Sequence, residues 1–138
     1  MGTWDPSVFG NDEAADWAGE LAENGTVTAV EQLLTTIAGY PLTEYLEVGT
    51  GSSALAAAEV VAAAIGKPTA STPYNKEVLE WATRHPELES LRSVARAAAE
   101  RVRTPESELL EVWEEEEVDT RDREAWENSV ADLVTRLL

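Results

Sequence analysis

Apolar residues recur along this chain at three- and four-residue steps, the spacing that places side chains on one face of an α-helix. No alternating apolar and polar run of strand length accompanies them. Capping residues, glycines and prolines separate the periodic stretches, as they do at helix ends. The pattern predicts an all-α protein, and we expect a single compact bundle of six to seven helices.

Start and stop signals place the predicted helices along the chain. The first is expected to begin at Asn11, whose side chain can cap free backbone amides, and to end at Asn24 and Gly25. A capping box formed by Thr28 and Glu31 predicts the start of the second. The remaining predicted helices cover residues 53–65, 75–84, 88–102, 104–117 with a fraying acidic end, and 119–137.

The stretch Ala54–Ile65 is alanine-rich and apolar nearly all round, which predicts a central helix. Glu59 interrupts it, and a buried carboxylate must receive hydrogen bonds or face a cation. The candidate partners are the indoles of Trp4 and Trp17, backbone amides of the N-terminal arm, Arg92 and Arg96. With such a partner, Glu59 is expected to tie the arm to the central helix. The alternative is that Glu59 reaches solvent along a narrow polar edge.

The chain has 138 residues, 43% of them hydrophobic, which is enough for one core. We expect one domain over residues 1–138, in which residues 1–10 form an N-terminal arm packed on the bundle. The lack of an apolar run of about eighteen residues argues against a membrane span. A signal peptide is not indicated, because the sequence shows no basic segment followed by an apolar stretch at its start. These features predict a cytoplasmic protein.

Acidic residues outnumber basic ones by 27 to 10, which gives a net charge of −17. Residues 1–47 hold nine acids and no lysine or arginine, and residues 106–127 hold eleven acids against two arginines. Phosphate backbones and anionic lipids would repel such a surface, so we expect neither direct nucleic-acid binding nor membrane association. A basic protein would be attracted. The alternative is that the acidity reflects the ordinary composition of proteins from a salt-adapted or high-GC organism.

Residue types that carry most catalytic chemistry are scarce. Cysteine is absent, which excludes disulfides and thiolate zinc sites, and His85 is the single histidine. No serine stands in a nucleophile elbow. Gly49 and Gly51 precede a predicted helix, but they have no lysine after them and no strand before them, so they do not indicate a phosphate loop. We predict no catalytic residue and no cofactor, and the sequence leans against an enzyme.

Carboxylates are the remaining candidate metal ligands. Helical pairs such as Glu77 with Glu80 and Glu108 with Glu111 resemble those of helical metal-dependent phosphohydrolases, but so acidic a chain produces such pairs by chance. A two-metal site needs inward-facing acids from several helices. The weak candidate ligands are Asp12, Asp16, Glu59 and His85.

The opening segment carries the most distinctive motifs. They are Gly2-x-Trp4, Phe9-x-Asn11-Asp12 and Ala14-x-Asp16-Trp17. With them the chain resembles a bacterial family of small helical domains of unknown function, and the likeness continues through residues 56–62, Trp81 and residues 107–113. Because that family has no assigned activity, the resemblance implies none.

Two interpretations of the opening segment stay open. Large aromatic residues near a terminus usually supply buried area, so Trp4 and Phe9 are expected to pack over the bundle. In the other interpretation, acids and tryptophans of this segment form the lip of a pocket or partner surface. The candidate binding or structural residues are Trp4, Phe9, Asn11, Asp12, Asp16, Trp17 and Glu59.

The sequence favours a non-enzymatic interaction module whose acidic helical surface binds a basic protein, for example an immunity- or antitoxin-like inhibitor or a nucleic-acid mimic. The alternative is a carboxylate-based metal-binding helical bundle with hydrolase activity. A small-ligand pocket between the arm and the central helix is a third hypothesis.

Overall fold

The backbone is helical through most of residues 5–138, the part of the chain that this computed structural model describes. The elements are α1 (Asp12–Asn24), α2 (Val27–Ala38), α3 (Val48–Ala64), α4 (Lys76–Thr83), a 3-10 helix (Pro86–Leu91), α5 (Arg92–Val102), α6 (Glu108–Glu114) and α7 (Thr120–Arg136). Within these residues no strand forms, so the predicted all-α bundle is confirmed. None of the described helices combines the length and the apolar character needed to cross a membrane.

Helix α3 forms the centre of the bundle, as its composition predicts. It contacts α1, α2, α4, α5, α6, α7 and the 3-10 helix. Twelve of its 17 residues are buried, because alanines on every side let the neighbouring helices approach closely. The long apolar side chains from the other helices complete the core around it, among them Leu34, Leu88, Leu109 and Leu133.

Helix caps follow the sequence at two positions and depart from it at one. Asn11 accepts a hydrogen bond from the amide of Ala14 at 2.9 Å, as predicted, and Asp119 caps α7. Helix α4 begins at Lys76, one residue after the predicted start at Asn75, whose side chain forms no cap hydrogen bond. The capping box at Thr28 is wrong, because Thr26 caps α2 instead, accepting from Ala29 at 3.1 Å. The earlier cap brings Val27 into the helix, where it packs against the core.

Two further helix starts differ from the predictions because distant segments meet. Helix α3 begins at Val48, five residues before the predicted start, and α6 begins at Glu108, after Pro105. The carboxylate of Glu108 accepts a hydrogen bond at 2.8 Å from the Val48 amide, which satisfies a donor that a helix start leaves free. Leu46 and Ser107 form an isolated parallel bridge beside it. Each helix therefore helps to fix the start of the other.

The predicted fifth helix is divided in the structure. Residues 86–91 form a 3-10 helix and only then does α5 begin, at Arg92. Leu88 and Leu91, which lie on the apolar stripe of the predicted helix, are buried in the 3-10 helix. Helix α6 ends at Glu114, at the start of the acidic run 114–117 that was predicted to form its last turn. Arg123 donates to the carbonyl of Trp113 at 3.1 Å and stabilises that helix end.

The described part of the N-terminal arm, residues 5–10, folds back on itself. The amide of Asp5 donates to the carbonyl of Gly10 at 3.1 Å, and Val8 and Phe9 are buried in the core. A Cβ on Gly10 would lie 2.1 Å from a carboxylate oxygen of Asp5, so a larger residue here would require the Asp5 side chain to move. Trp4, whose packing was predicted, lies outside the described residues.

Candidate functional site

The buried carboxylate of Glu59 is held by an arginine from the last turn of α7. Its two oxygens accept hydrogen bonds from Nη1 and Nη2 of Arg136 at 2.8 and 2.9 Å. Arg136 also donates to Asp132 at 2.7 Å and to the carbonyl of Lys67 at 2.9 Å. Burial raises the pKa of Glu59 above its ordinary value, and the bonds from Arg136 oppose that shift.

The predicted partners of Glu59 were therefore wrong in the described chain. Arg92 donates to the carbonyls of Leu137 and Leu138, and Arg96 pairs with Glu100 at 4.0 Å. Among the described residues, Glu59 ties the central helix to α7 and forms no hydrogen bond to residues 5–10 of the arm, while Trp4, another predicted partner, lies outside them. The alternative of a solvent-reaching Glu59 is also wrong, because the residue is 1% exposed.

A pocket of about 580 Å³ opens where α1, α2 and α6 meet the start of α3. Its lining consists of Glu13, Trp17, Leu33, Glu47, Val48, Gly49, Thr50, Ser53 and Glu108. The side chain of Glu13 crosses the start of α3, since its carboxyl carbon lies 3.3 Å from where a Cβ on Gly49 would be. Trp17 and Leu33 are partly buried and supply the apolar part of the wall.

The charge of this pocket is negative. Three of its nine lining residues are glutamates, and none is a lysine or an arginine. Within residues 5–138, none of the three glutamates forms an ion pair. The start of α3 offers about half a positive charge from its helix dipole, which is much less than three carboxylates carry. The pocket is therefore suited to a cation and unsuited to a phosphate.

A rigid loop leads from α2 to this pocket, held by the buried side chain of Arg101 on α5. The guanidinium donates to the carbonyls of Tyr40 at 3.1 Å, Pro41 at 3.0 Å and Glu44 at 2.6 Å. It also donates to the Thr104 hydroxyl at 2.7 Å and, at 3.5 Å, to a carbonyl of the loop before α6. All five N–H groups are used, and three of the bonds tie carbonyls of this loop to α5.

The end of the loop is fixed to α6 by Tyr45. Its hydroxyl donates to a carboxylate oxygen of Glu111 at 2.8 Å. This hydrogen bond is the main reason that the pKa of Tyr45 is raised from 10.0 to about 12. Glu108 and Glu111 therefore contact separate groups, Val48 and Tyr45, and the metal-type pair that their spacing resembles does not form here.

The structure separates the sequence-predicted candidates. Trp17 lines the pocket, while Phe9 and Asn11 are buried and serve packing and capping. Asp12 and Asp16 are exposed on α1. Neither belongs to the lining of this pocket, which the described residues define.

Metal ligation gains no support from the arrangement. In the part of the chain that the structure describes, no three residues of the ligand-forming types His, Asp and Glu stand close enough together to hold an ion. Glu59 faces Arg136, and the ring of His85 stacks on Trp81 with centroids 4.0 Å apart. His85 also bonds through Nδ1 to the Trp81 carbonyl at 2.8 Å, at the turn that ends α4.

Sequence reasoning missed the residues that make the pocket acidic. Glu13, Glu47 and Glu108 come from the start of α1, the residue before α3 and the start of α6, so their encounter depends on the packing of distant segments. One local signal was available. An acid in the first turn of a helix can serve the amides of a neighbouring helix as well as its own.

Comparisons with known proteins give one match. The family model described as Domain of unknown function (DUF4259) matches residues 2–129. No curated protein and no solved structure matches the chain. The family description assigns no activity, so function has to be argued from the geometry above.

Proposed function

Because this chain belongs to the DUF4259 family, whose description gives no activity, we propose from its geometry that it is a non-enzymatic interaction module for a basic protein partner. The observation that supports this most is the acidic pocket at the start of α3, bounded by Glu13, Glu47 and Glu108. An immunity- or antitoxin-like inhibitor is one form that such a module takes. A cytoplasmic location and a single domain over residues 1–138 stay predictions.

The pocket has the features that a lysine or arginine side chain needs. Carboxylates on several sides match its charge, and the indole of Trp17 offers a face for a cation. A volume of about 580 Å³ accommodates one such side chain together with its water. A cation–indole contact contributes roughly 0.5–1 kcal/mol at an exposed site, so neighbouring contacts must supply most of the affinity.

The net charge of −17 acts together with the pocket. A strongly acidic surface speeds encounter with a basic protein and repels acidic competitors. The pocket then distinguishes a partner that presents a cationic side chain at the right place from one that is merely basic. Affinity is expected to fall as salt rises, because surface charges are screened.

The alternative function, a carboxylate-based metal-binding hydrolase, is not favoured by any observation on the described residues. Its most buried candidate ligand, Glu59, already receives two hydrogen bonds from Arg136. Asp12 and Asp16 are exposed and do not share a site with it.

The proposal is tested by capturing partners from the native host with the full chain. The pocket variant carries Glu13→Gln and Glu47→Gln, which remove two charges and leave the Glu108 bond to Val48 in place. The matched control carries Glu116→Gln and Glu117→Gln, two exposed acids after α6. Both variants have the same net charge, so overall acidity cannot explain a difference between them.

We expect a basic protein to co-purify in stoichiometric amount with the wild type and the control, and to be lost from the pocket variant. Raising the salt concentration should weaken the complex. Equal retention by both variants would contradict the pocket as the binding site. A stoichiometric partner that is acidic, or binding that salt does not affect, would contradict the electrostatic mechanism.

A further inference from the structure

We propose that the loop of residues 40–45 is an apolar anchor beside the acidic pocket, and that it binds an apolar side chain of the same basic partner. This inference rests on the proposed function and adds a second contact to it. Leu42 is 66% exposed and Tyr45 is 45% exposed. A single exposed leucine is common, so the exposure alone carries little weight. These two side chains are unusual because an ordered loop, held by Arg101, presents them to solvent.

The order of this loop comes from side chains more than from its own backbone, in which one turn hydrogen bond runs from the Glu44 amide to the Pro41 carbonyl at 3.0 Å. Arg101, which is 3% exposed, supplies that order through the carbonyls of Tyr40, Pro41 and Glu44. Burying a guanidinium without a carboxylate partner is costly, and the core could have been closed with an apolar side chain. A loop fixed in this way loses little conformational freedom on binding, which favours affinity.

The surroundings of the loop indicate the chemistry of the partner. A shallow groove of about 490 Å³ lies between Pro41 and Leu42 on one side and Ala97 on α5 on the other. Glu44 on the loop and Glu111 beside Tyr45 add negative charge around this apolar surface. The guanidinium of Arg101 also lines this groove and keeps its positive charge, but the carboxylates of Glu44 and Glu111 around the loop outnumber it. A leucine or aromatic side chain flanked by lysine or arginine fits this surface.

The loop and the pocket are continuous along the chain. Glu47, which lines the pocket, follows Tyr45 after one residue, and Glu108 lies one turn before Glu111 on α6. A partner segment that places a cationic side chain in the pocket can therefore reach the loop without a break. Tyrosine is frequent among the residues that dominate binding energy at interfaces, which suits Tyr45 to this position.

The test uses random peptides displayed on phage and selected on the full chain. Selection is repeated on three variants. The loop variant carries Leu42→Ser and Tyr45→Ser, the pocket variant carries Glu13→Gln and Glu47→Gln, and the control variant carries Tyr74→Ser, which changes another exposed tyrosine away from the loop. Thermal unfolding of each variant verifies that it is folded, and Tyr45→Phe shows whether the ring or the hydroxyl matters.

We expect wild type and control to enrich peptides with an apolar or aromatic residue next to lysine or arginine. The loop variant should lose the apolar preference and keep the basic one, with about a tenfold loss of affinity for the best peptide. Unchanged apolar preference in the loop variant would overturn this inference and leave the pocket proposal intact. If the pocket variant keeps the basic preference, or no peptide is enriched, the proposed function fails as well.

Discussion

Glu59 and Arg136 meet in two nearly parallel hydrogen bonds of 2.8 and 2.9 Å that join the middle of α3 to the last turn of α7. Glu59 is 1% exposed, and the side chain of Arg136 is 15% exposed. The pair is therefore only partly open to water, and the buried carboxylate of Glu59 depends on Arg136 for its compensating charge. This contact fixes where α7 lies against the core.

The two halves of this pair are expected to respond differently to substitution. Arg136→Met leaves a buried carboxylate without its cation and should lower the free energy of unfolding by about 3 kcal/mol. Glu59→Gln removes the charge whose burial raises the pKa of Glu59, and Arg136 keeps Asp132 as a partner, so the change should be below about 1 kcal/mol. Urea unfolding followed by circular dichroism measures both.

The double variant Glu59→Leu with Arg136→Met serves as the control. Replacing both charges by apolar side chains should recover most of the stability that Arg136→Met loses. Equal destabilisation by Arg136→Met and Glu59→Gln, or no recovery in the double variant, would mean that the pair does not set the position of α7.

Apolar spacing was sufficient to predict the bundle and its central helix, because both depend on local periodicity. The need for a partner at Glu59 also followed from the sequence, since a carboxylate in an apolar helix must be compensated. The identity of that partner did not follow, because Arg136 lies 77 residues away and periodicity does not say which helices touch. The acidic pocket was missed for the same reason. Of its lining, Trp17 was a predicted candidate and Glu108 was considered only in a pair with Glu111, while the three glutamates come from separate segments of the chain.

Arg101 is expected to be essential for the loop of residues 40–45. Arg101→Leu removes five donors and leaves the carbonyls of Tyr40, Pro41 and Glu44 without their partner, so the free energy of unfolding should fall by about 3 kcal/mol or more. Amide hydrogen exchange across residues 40–46 should speed up. Arg103→Leu, on an exposed arginine of the same region, is the comparison and should change neither quantity appreciably. Unchanged exchange in the Arg101 variant would show that the loop is ordered by something else.

Tyr45 is expected to ionise later than an ordinary tyrosine. Its hydrogen bond to Glu111 favours the neutral phenol and raises the pKa from 10.0 to about 12. Because the folded value is the higher one, the stability that this bond contributes is present below pH 10 and is lost as pH rises towards 12. NMR of ring-labelled tyrosine follows the titration. Glu111→Ala should bring the pKa down towards 10, whereas Glu114→Ala, on the same helix, should leave it near 12. An unshifted Tyr45 in the wild type would show that the bond does not form.

Gly19 and Gly66 have different backbone conformations, and replacement by alanine should therefore affect stability in opposite directions. A Cβ would meet nothing within 4 Å at either Gly19 or Gly66, but Gly66 has a φ of +83° and Gly19 lies inside α1. Gly19→Ala should raise the free energy of unfolding by about 0.5–1 kcal/mol through helix propensity. Gly66→Ala should lower it by about 1 kcal/mol because of the left-handed backbone. Urea unfolding measures the free energy of unfolding of both variants. Changes of the same sign would contradict a helical Gly19 and a left-handed Gly66.

The acidic pocket is tested most directly with a single cationic group in place of a whole partner. N-acetyl-arginine amide and N-acetyl-citrulline amide have nearly the same shape, and only the first carries a positive charge. Each is titrated into the isotope-labelled full chain by NMR. The response is followed at the amides of Val48 and Gly49 and at the indole of Trp17, which line the pocket.

The arginine compound should produce saturable shifts at these three positions, and the citrulline compound should produce none. The shifts should disappear in the Glu13→Gln, Glu47→Gln variant and persist in the Glu116→Gln, Glu117→Gln control. Shifts scattered over the acidic surface, with the same response in both variants, would contradict the claim that this pocket binds a cationic side chain.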